Sequence, residues 1–367
     1  MSIHSISLTN FKSIREAKDI RFEAVNILIG PNGVGKTNLI SFFKLLNNIM
    51  NKNLQMYVKT TGRANSYLYF GAKKSTYLEG EISFLNPGKN LSNSYQFKLI
   101  PTQEGGFIFE KEFSNFNRGT TALPHWTINS YTPKGSEESS IPGSDSYRNR
   151  YLKTFFRSLR VFHFHDTSPT ARVKDFCSEH DSEYLREDAS NLAAFLYKLS
   201  QTHSQHYNII EKVIQSVAPF FNRFDLKPDG GSPPAINLKW LEKGSDSYFD
   251  ANHLSDGTLR FICLATLLLQ PEPPSTIIID EPELGLHPSA IQKLSSMIKS
   301  ASVKTQIIVS TQSIHLVDQF SADDIIVVER EDNQTVFKRQ SEEALSAWRE
   351  EYSLGELWSK NVLGGTP

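Results

Sequence analysis

Gly30-Pro31-Asn32-Gly33-Val34-Gly35-Lys36-Thr37 fits the pattern G-x-x-x-x-G-K-[ST]. Before it runs Val25-Asn26-Ile27-Leu28-Ile29, a compact apolar stretch with the look of a buried strand. After it, Leu39, Ile40, Phe43, Leu45 and Leu46 recur at helical spacing as far as about Met50. Strand, glycine loop and helix in that order form a phosphate cradle. Glycines let backbone amides approach a β-phosphate, and the helix start adds its positive dipole end. Lys36 is placed to bridge β- and γ-phosphates, and the Thr37 hydroxyl to ligate Mg2+. The candidate nucleotide-binding set is Gly30, Pro31, Asn32, Gly33, Val34, Gly35, Lys36, Thr37 and Asn38, with ATP and Mg2+ as cofactors.

Far downstream, Thr276-Ile277-Ile278-Ile279 runs straight into Asp280-Glu281. Apolar residues ending on two acids describe a central parallel strand that stops at a phosphate site. Asp280 supplies a hard oxygen to the Mg2+ shell, and Glu281 is the candidate catalytic base that polarises an attacking water. Ahead of this strand, Leu254-Ser255-Asp256-Gly257-Thr258 opens a helix. A serine at a helix start followed by glycine is both an N-cap and an anion site.

The order of glycine loop, long insertion, LSDGT and DEPELGLHP resembles ABC-type ATPase heads. In those heads an LSGGQ-like signature binds the γ-phosphate held by the opposing subunit, which would be the role of Ser255, Asp256 and Gly257. With NFKSI, HFHDTSP, NLAAFLYKL, STQS and LGELWSKNVLGG, the chain looks like small bacterial AAA-family ATPases. These are relatives of RecF, of structural-maintenance-of-chromosomes heads and of OLD-type ATPases. The resemblance implies an α/β fold: an ABC-type ATPase head with a P-loop core sheet, an antiparallel β subdomain and a helical lobe. It also implies an ATP-dependent homodimer or higher homo-oligomer. Such a dimer would act in anti-phage defence or DNA repair with a separately encoded effector such as a nuclease, and possible contact with DNA. A self-sufficient RecF-like DNA-binding ATPase, or a nucleotide-bound scaffold with negligible hydrolysis, are the alternatives. One departure stands out. Where most such heads carry a switch histidine, this chain has Gln312 in Ser310-Thr311-Gln312-Ser313. An amide can donate to phosphate but carries no proton at neutral pH, so slow hydrolysis is expected. Lys12 lies where related heads place a basic residue near the nucleotide, and a solvated turn lysine is the equal alternative.

Elsewhere, Ile3, Ile6 and Leu8 and then Ile20 and Phe22 suggest a hairpin. Alternating aromatic runs from Tyr67-Leu68-Tyr69-Phe70 to Phe107-Ile108-Phe109 suggest an antiparallel sheet, and 188–225 reads as helical. The expected lobes are 1–175, with a mobile loop at about 130–148 where Ser, Gly and Pro prevail, then 176–235 and 236–367. His163, His165 and Asp166 lack further spaced metal ligands, so a structural or γ-phosphate-sensing role involving Thr167 and Ser168 is favoured. His287 either faces a partner subunit or caps its own helix. Tyr352 to Trp358 either docks a partner or packs on its own core. Cys177 and Cys263 have no metal-like spacing. A net charge of −1 advertises no global field for nucleic acid. No apolar run reaches the about 20 residues a bilayer needs, so a cytoplasmic, membrane-free setting is expected and a transporter motor is not.

Overall fold

The computed structural model describes residues 2–86, 91–117, 126–130, 132–144 and 146–365. They fall into two compact units, Met1–Arg160 with Ser321–Pro367, and Val161–Phe320. This differs from three consecutive lobes because strand Ile325–Glu331 pairs in parallel with Val25–Ile29, with Ile325 opposite Ile27 and Val327 opposite Ile29. The C-terminal segment therefore belongs to the same unit as the glycine loop. No local pattern announces a ladder between residues so distant in sequence.

In the first unit, six strands form an antiparallel sheet in the order Ile14–Arg21, Ser2–Phe11, Leu78–Asn86, Leu91–Pro101, Phe107–Asn117, Trp126–Ser130. The helix Lys36–Met50 lies against it through aromatic contacts. Phe42 meets Phe11 edge-on at 5.7 Å and stacks on Phe97 at 6.2 Å, while Phe43 meets Phe22 at 6.3 Å. Each such pair adds about 0.5–1.5 kcal/mol beyond area burial, so the loop helix is anchored at its middle turn. Tyr67-Leu68-Tyr69-Phe70, expected as a strand, instead closes the helix Arg63–Tyr67 and leaves one bridge, Phe11 to Leu68. The expected loose loop is also corrected over 132–144. Glu138 accepts from the amides of Leu54 and Gln55 at 3.1 and 2.9 Å, and Ile141 is buried. Buried Glu112 accepts from Tyr95 at 2.7 Å, from Ser139 at 2.6 Å and from Thr132. Polar composition hid a set of hydroxyls that satisfy one buried carboxyl, which burial pushes above its ordinary range. Residues 131 and 145 of that expected loop lie outside the described residues.

The second unit holds parallel strands Thr276–Asp280 and Gln306–Ser310, paired so that Asp280 faces Ser310. Helix Asp256–Leu269 packs between Ser204–Val217 and Pro288–Ala301. Its apolar face, Leu259, Ile262 and Cys263 among others, is buried. Within 188–225 the helices are Leu192–Thr202 and Ser204–Val217, and Phe221–Phe224 is a strand in a three-stranded sheet with Lys239–Glu242 and Tyr248–Asp250. Among the described residues, no helix is long and apolar enough to cross a membrane.

Candidate nucleotide site and its supports

The glycine loop of the first unit is shaped from within and braced from behind. Gly33 and Gly35 take φ of 75° and 117°, values that side chains with a Cβ adopt only under strain. Lys36, 5% exposed, folds back so that its ammonium donates to the carbonyl of Gly30 and to that of Pro31 at 3.1 Å. Thr37 and Asn32 are exposed at the loop surface. Behind the loop, the buried Thr335 hydroxyl donates to the Val34 carbonyl at 2.6 Å and shares a 2.6 Å hydrogen bond with Ser13 Oγ. Asn38 Nδ2 donates to that same Ser13 oxygen at 2.6 Å. The amide of Asn38 is thus engaged with the brace. Thr335 and Ser13 were not singled out in the sequence, because neither lies in or beside the motif that they hold.

Thr335 reaches the loop through a hairpin, Ile325–Glu331 and Gln334–Arg339, turned by Asp332 and Asn333 at φ of 46° and 64°. A two-residue Asp-Asn turn with both residues left-handed is a readable hairpin signal, here masked by the polar run around it. Lys12 sits at φ 49° in the turn between the first two strands. Its ammonium lies over the rings of Tyr67 and Phe11, 5.3 and 5.9 Å from their centroids. Burial, and then the charge of Lys44, hold its pKa below that of an ordinary lysine.

In the second unit, Glu281 follows the acidic strand with φ 42°, its amide donating to the Ser310 carbonyl at 2.8 Å. Left-handed backbone at a bulky residue is strained and concentrates at working sites. Gln312 Nε2 donates to Glu281 Oε1 at 2.5 Å, so the residue in the switch position grips the candidate base directly. Glu283 holds the switch in turn, accepting from Thr311 Oγ1 at 2.5 Å and from the Gln312 amide at 3.2 Å. Burial, with Glu281 nearby, pushes the Glu283 carboxyl up.

Ser255 caps helix Asp256–Leu269, accepting from the Thr258 amide at 3.2 Å, and both Ser255 and Asp256 are exposed. Gly257 lies so close to the Gly285 carbonyl that a Cβ would run into it. Arg260, one turn on, donates to the carbonyls of Leu284 at 2.8 Å, Phe164 at 3.1 Å and His165 at 2.8 Å. One guanidinium therefore ties the serine-headed helix to the loop after the acids and to the HFHD stretch. His287 caps its own helix, Nδ1 accepting from the Ser289 amide at 3.4 Å. Asp166 accepts from Ser168, whose hydroxyl and amide hold its carboxyl below the usual range. Among the described residues, no three His, Cys, Asp or Glu side chains gather to hold a metal. Trp358 is fully buried and donates to the Gly365 carbonyl at 2.5 Å, so the 352–358 stretch packs at least this ring on its own core.

Comparison with known proteins agrees with this construction. The chain is 23% identical over 382 residues to the Old nuclease of Escherichia phage P2, an alignment covering 93% of this chain and 61% of that protein. The chain thus spans about three fifths of the relative's length. An Smc head bound to the C-terminal winged-helix domain of ScpA superposes with a TM-score of 0.62 at 16% identity, covering 94% of this chain and all of the other. A Pyrococcus furiosus Smc head with an extended coiled coil, bound to the C-terminal domain of ScpA, gives 0.58 at 16%, covering 95% and 98%. The fold is that of an ABC-type ATPase head. Residues 25–318 match the family described as "AAA domain, putative AbiEii toxin, Type IV TA system", which takes in the glycine loop, the acidic strand and the switch, and the chain belongs to that family.

Proposed function

We propose that the chain is an ATP-driven switch in which two copies close head to tail over two ATP molecules. Each nucleotide is held by the glycine loop of one copy and capped by the Ser255 helix of the other. The observation that carries this is a glycine loop braced from behind by Thr335, together with an exposed, hydroxyl-headed helix start beside which Gly257 packs on the Gly285 carbonyl and Arg260 holds the Leu284 carbonyl. In the cycle, Lys36 exchanges loop carbonyls for phosphate oxygens. The exposed Thr37 hydroxyl and the Asp280 carboxylate are hard oxygen donors that suit Mg2+, which supplies charge neutralisation when bound. Glu281 takes the proton of the attacking water, and Gln312 orients that carboxylate. Because the Gln312 amide cannot relay a proton, turnover is slow and ATP binding sets the active state. Closure then alters a surface that an effector senses, in defence or repair. The toxin–antitoxin description of the family and the nuclease relative favour a nuclease as that effector.

Complementation tests the sandwich. Lys36→Ala and Ser255→Arg chains are each expected to be inactive alone. Mixed in equal amounts, half the dimers carry one intact site, so about a quarter of wild-type turnover returns under two-fold symmetry. No recovery, with both variants folded and Ser255→Arg still binding ATP, sinks the trans arrangement.

Arg260 gives a second test. Arg260→Ala leaves three carbonyls without their donor, a loss of about 1–3 kcal/mol for a partly buried, charge-assisted hydrogen-bond set. We expect kcat to fall about thirtyfold, which that energy corresponds to at its middle, with KM for ATP little changed. Arg260→Lys, which keeps charge but not the three-way fork, should recover only part. A variant with full kcat would show the clamp to be idle.

A further inference from the structure

Just ahead of Ser255, the turn Ala251–His253 presents an imidazole that the sandwich does not use. His253 is exposed, yet its ring is held. Nδ1 lies 2.9 Å from Asp250 Oδ1, and the same oxygen accepts from the Asn252 amide at 2.9 Å. Phe249 meets the ring edge to face at 5.5 Å. Behind them, buried Trp240 stacks on Phe249 at 5.0 Å, and its indole donates to the Asp250 carbonyl at 3.1 Å. An exposed ion pair contributes little to stability, so folding alone does not call for this much restraint on a surface ring. Asp250 also decides which nitrogen is left to bind. Against the opposing effect of partial burial, the Asn252 amide and then His253 hold its carboxyl below the usual range. An ionised carboxylate only accepts, so Nδ1 keeps its hydrogen, and Nε2 has no partner among the described residues. With Nδ1–H fixed, a protonated ring donates through Nε2, while a neutral ring shows a bare acceptor there.

We propose that protonated His253 donates through Nε2 to the γ-phosphate of the ATP held by the opposing copy, beside Ser255. The proposal rests on the sandwiched-ATP reading. Leu254, between the two, is buried, and two residues span at most about 7 Å, so both side chains can reach one ligand. The need follows from charge. Exposed Asp256 opens the same helix, where its carboxylate repels phosphate, and the switch position holds only the neutral amide of Gln312. A cation from the capping copy offsets the first and supplies what the second lacks. It acts without giving up its proton. As the water oxygen bonds to the γ-phosphorus and the bond to the β-phosphate oxygen breaks, Glu281 takes the proton of the water and His253 keeps its own. Besides Asp250, the titratable groups on the elements packed against this turn are Tyr248, on strand Tyr248–Asp250, and Arg172 and Lys174, on the turn Arg172–Lys174. Arg172 pairs with Asp188 at 3.9 Å, and among the described residues none of these three bonds the ring.

Turnover of single variants and of mixed dimers tests it. His253→Ala should lose at least about tenfold in ATP turnover, the share of one charge-assisted hydrogen bond, and keep its thermal midpoint and its binding of ATP at the cradle. His253→Gln keeps a neutral donor and should recover only part. The ratio of wild-type to His253→Gln turnover should fall as pH rises from about 6 to about 8, because the imidazole loses its charge and the amide has none to lose. Mixed in equal amounts with Lys36→Ala, His253→Ala should regain about a quarter of wild-type turnover, since half the dimers then pair one intact cradle with an intact His253 from the other copy. Wild-type turnover in folded His253→Ala, or a ratio flat with pH, overturns the proposal. So does a mixture that regains nothing while Lys36→Ala and Ser255→Arg complement each other, an outcome that leaves the sandwich standing. If neither mixture recovers, the sandwich itself has failed, and the placing of His253 on the opposing ATP fails with it.

Discussion

Glu281→Gln is expected to cut ATP turnover about a hundred- to ten-thousandfold, the usual share of a general base, and to leave an ATP-induced dimer that persists through gel filtration. The substitution is close to isosteric. A carboxamide oxygen can still accept from Gln312 Nε2, and the backbone amide still donates to Ser310. The left-handed φ of 42° is no worse for glutamine than for glutamate. What disappears is the capacity to take a proton from water, so the ATP-bound state forms and is not discharged. If hydrolysis continues near the wild-type rate, Glu281 is not the base. If neither protein turns over and neither dimerises with ATP, the chain is a nucleotide-bound scaffold. Measuring single-turnover hydrolysis beside gel filtration separates these outcomes, since the first reads chemistry and the second reads assembly.

Much of this arrangement was open to reading from local pattern. The strand that ends at Asp280 spans Thr276–Asp280 as expected, and the loop helix begins at Lys36. Both are written by short-range rules, apolar runs and a glycine loop whose backbone demands are fixed by its residues. The unexpected features come from elsewhere. Thr335 braces a loop some 300 positions earlier in sequence, and only the fold brings the two together. Glu283 sits inside the DEPELGL run, yet its role depends on Thr311 and Gln312 across a parallel pairing. Arg260 looks like an ordinary exposed helix residue until three carbonyls from two separate loops converge on it. Tyr67-Leu68-Tyr69-Phe70 has strand composition, but Phe70 at φ 53° and the turn at Gly71 break any ladder there. Tertiary packing overrode propensity, as it does wherever aromatic residues are needed for burial more than for pairing.

Gly35→Ala is expected to reduce ATP affinity at least about a hundredfold, through two costs that add. Holding alanine at φ 117° strains the backbone by about 1–3 kcal/mol. The new methyl also meets Ser13 Oγ at 2.8 Å and Thr335 Cγ2 at 2.9 Å, and runs into Thr335 Oγ1. These are the atoms that fix the Val34 carbonyl and the first turn of the loop helix, so relief by shifting them loosens the cradle. Gly33→Ala separates the two costs. Its φ of 75° is also left-handed, yet a Cβ there meets nothing within 4 Å, so strain alone should lower affinity about tenfold. Thr335→Ala in the Gly35→Ala background removes two of the three clashing atoms and should restore part of the loss, although Thr335→Ala alone weakens the brace. Coupling of that sign in a double-mutant cycle, read by nucleotide titration calorimetry, is what direct contact demands. Strictly additive losses would mean that Thr335 and Gly35 act independently and that the brace does not shape the phosphate loop.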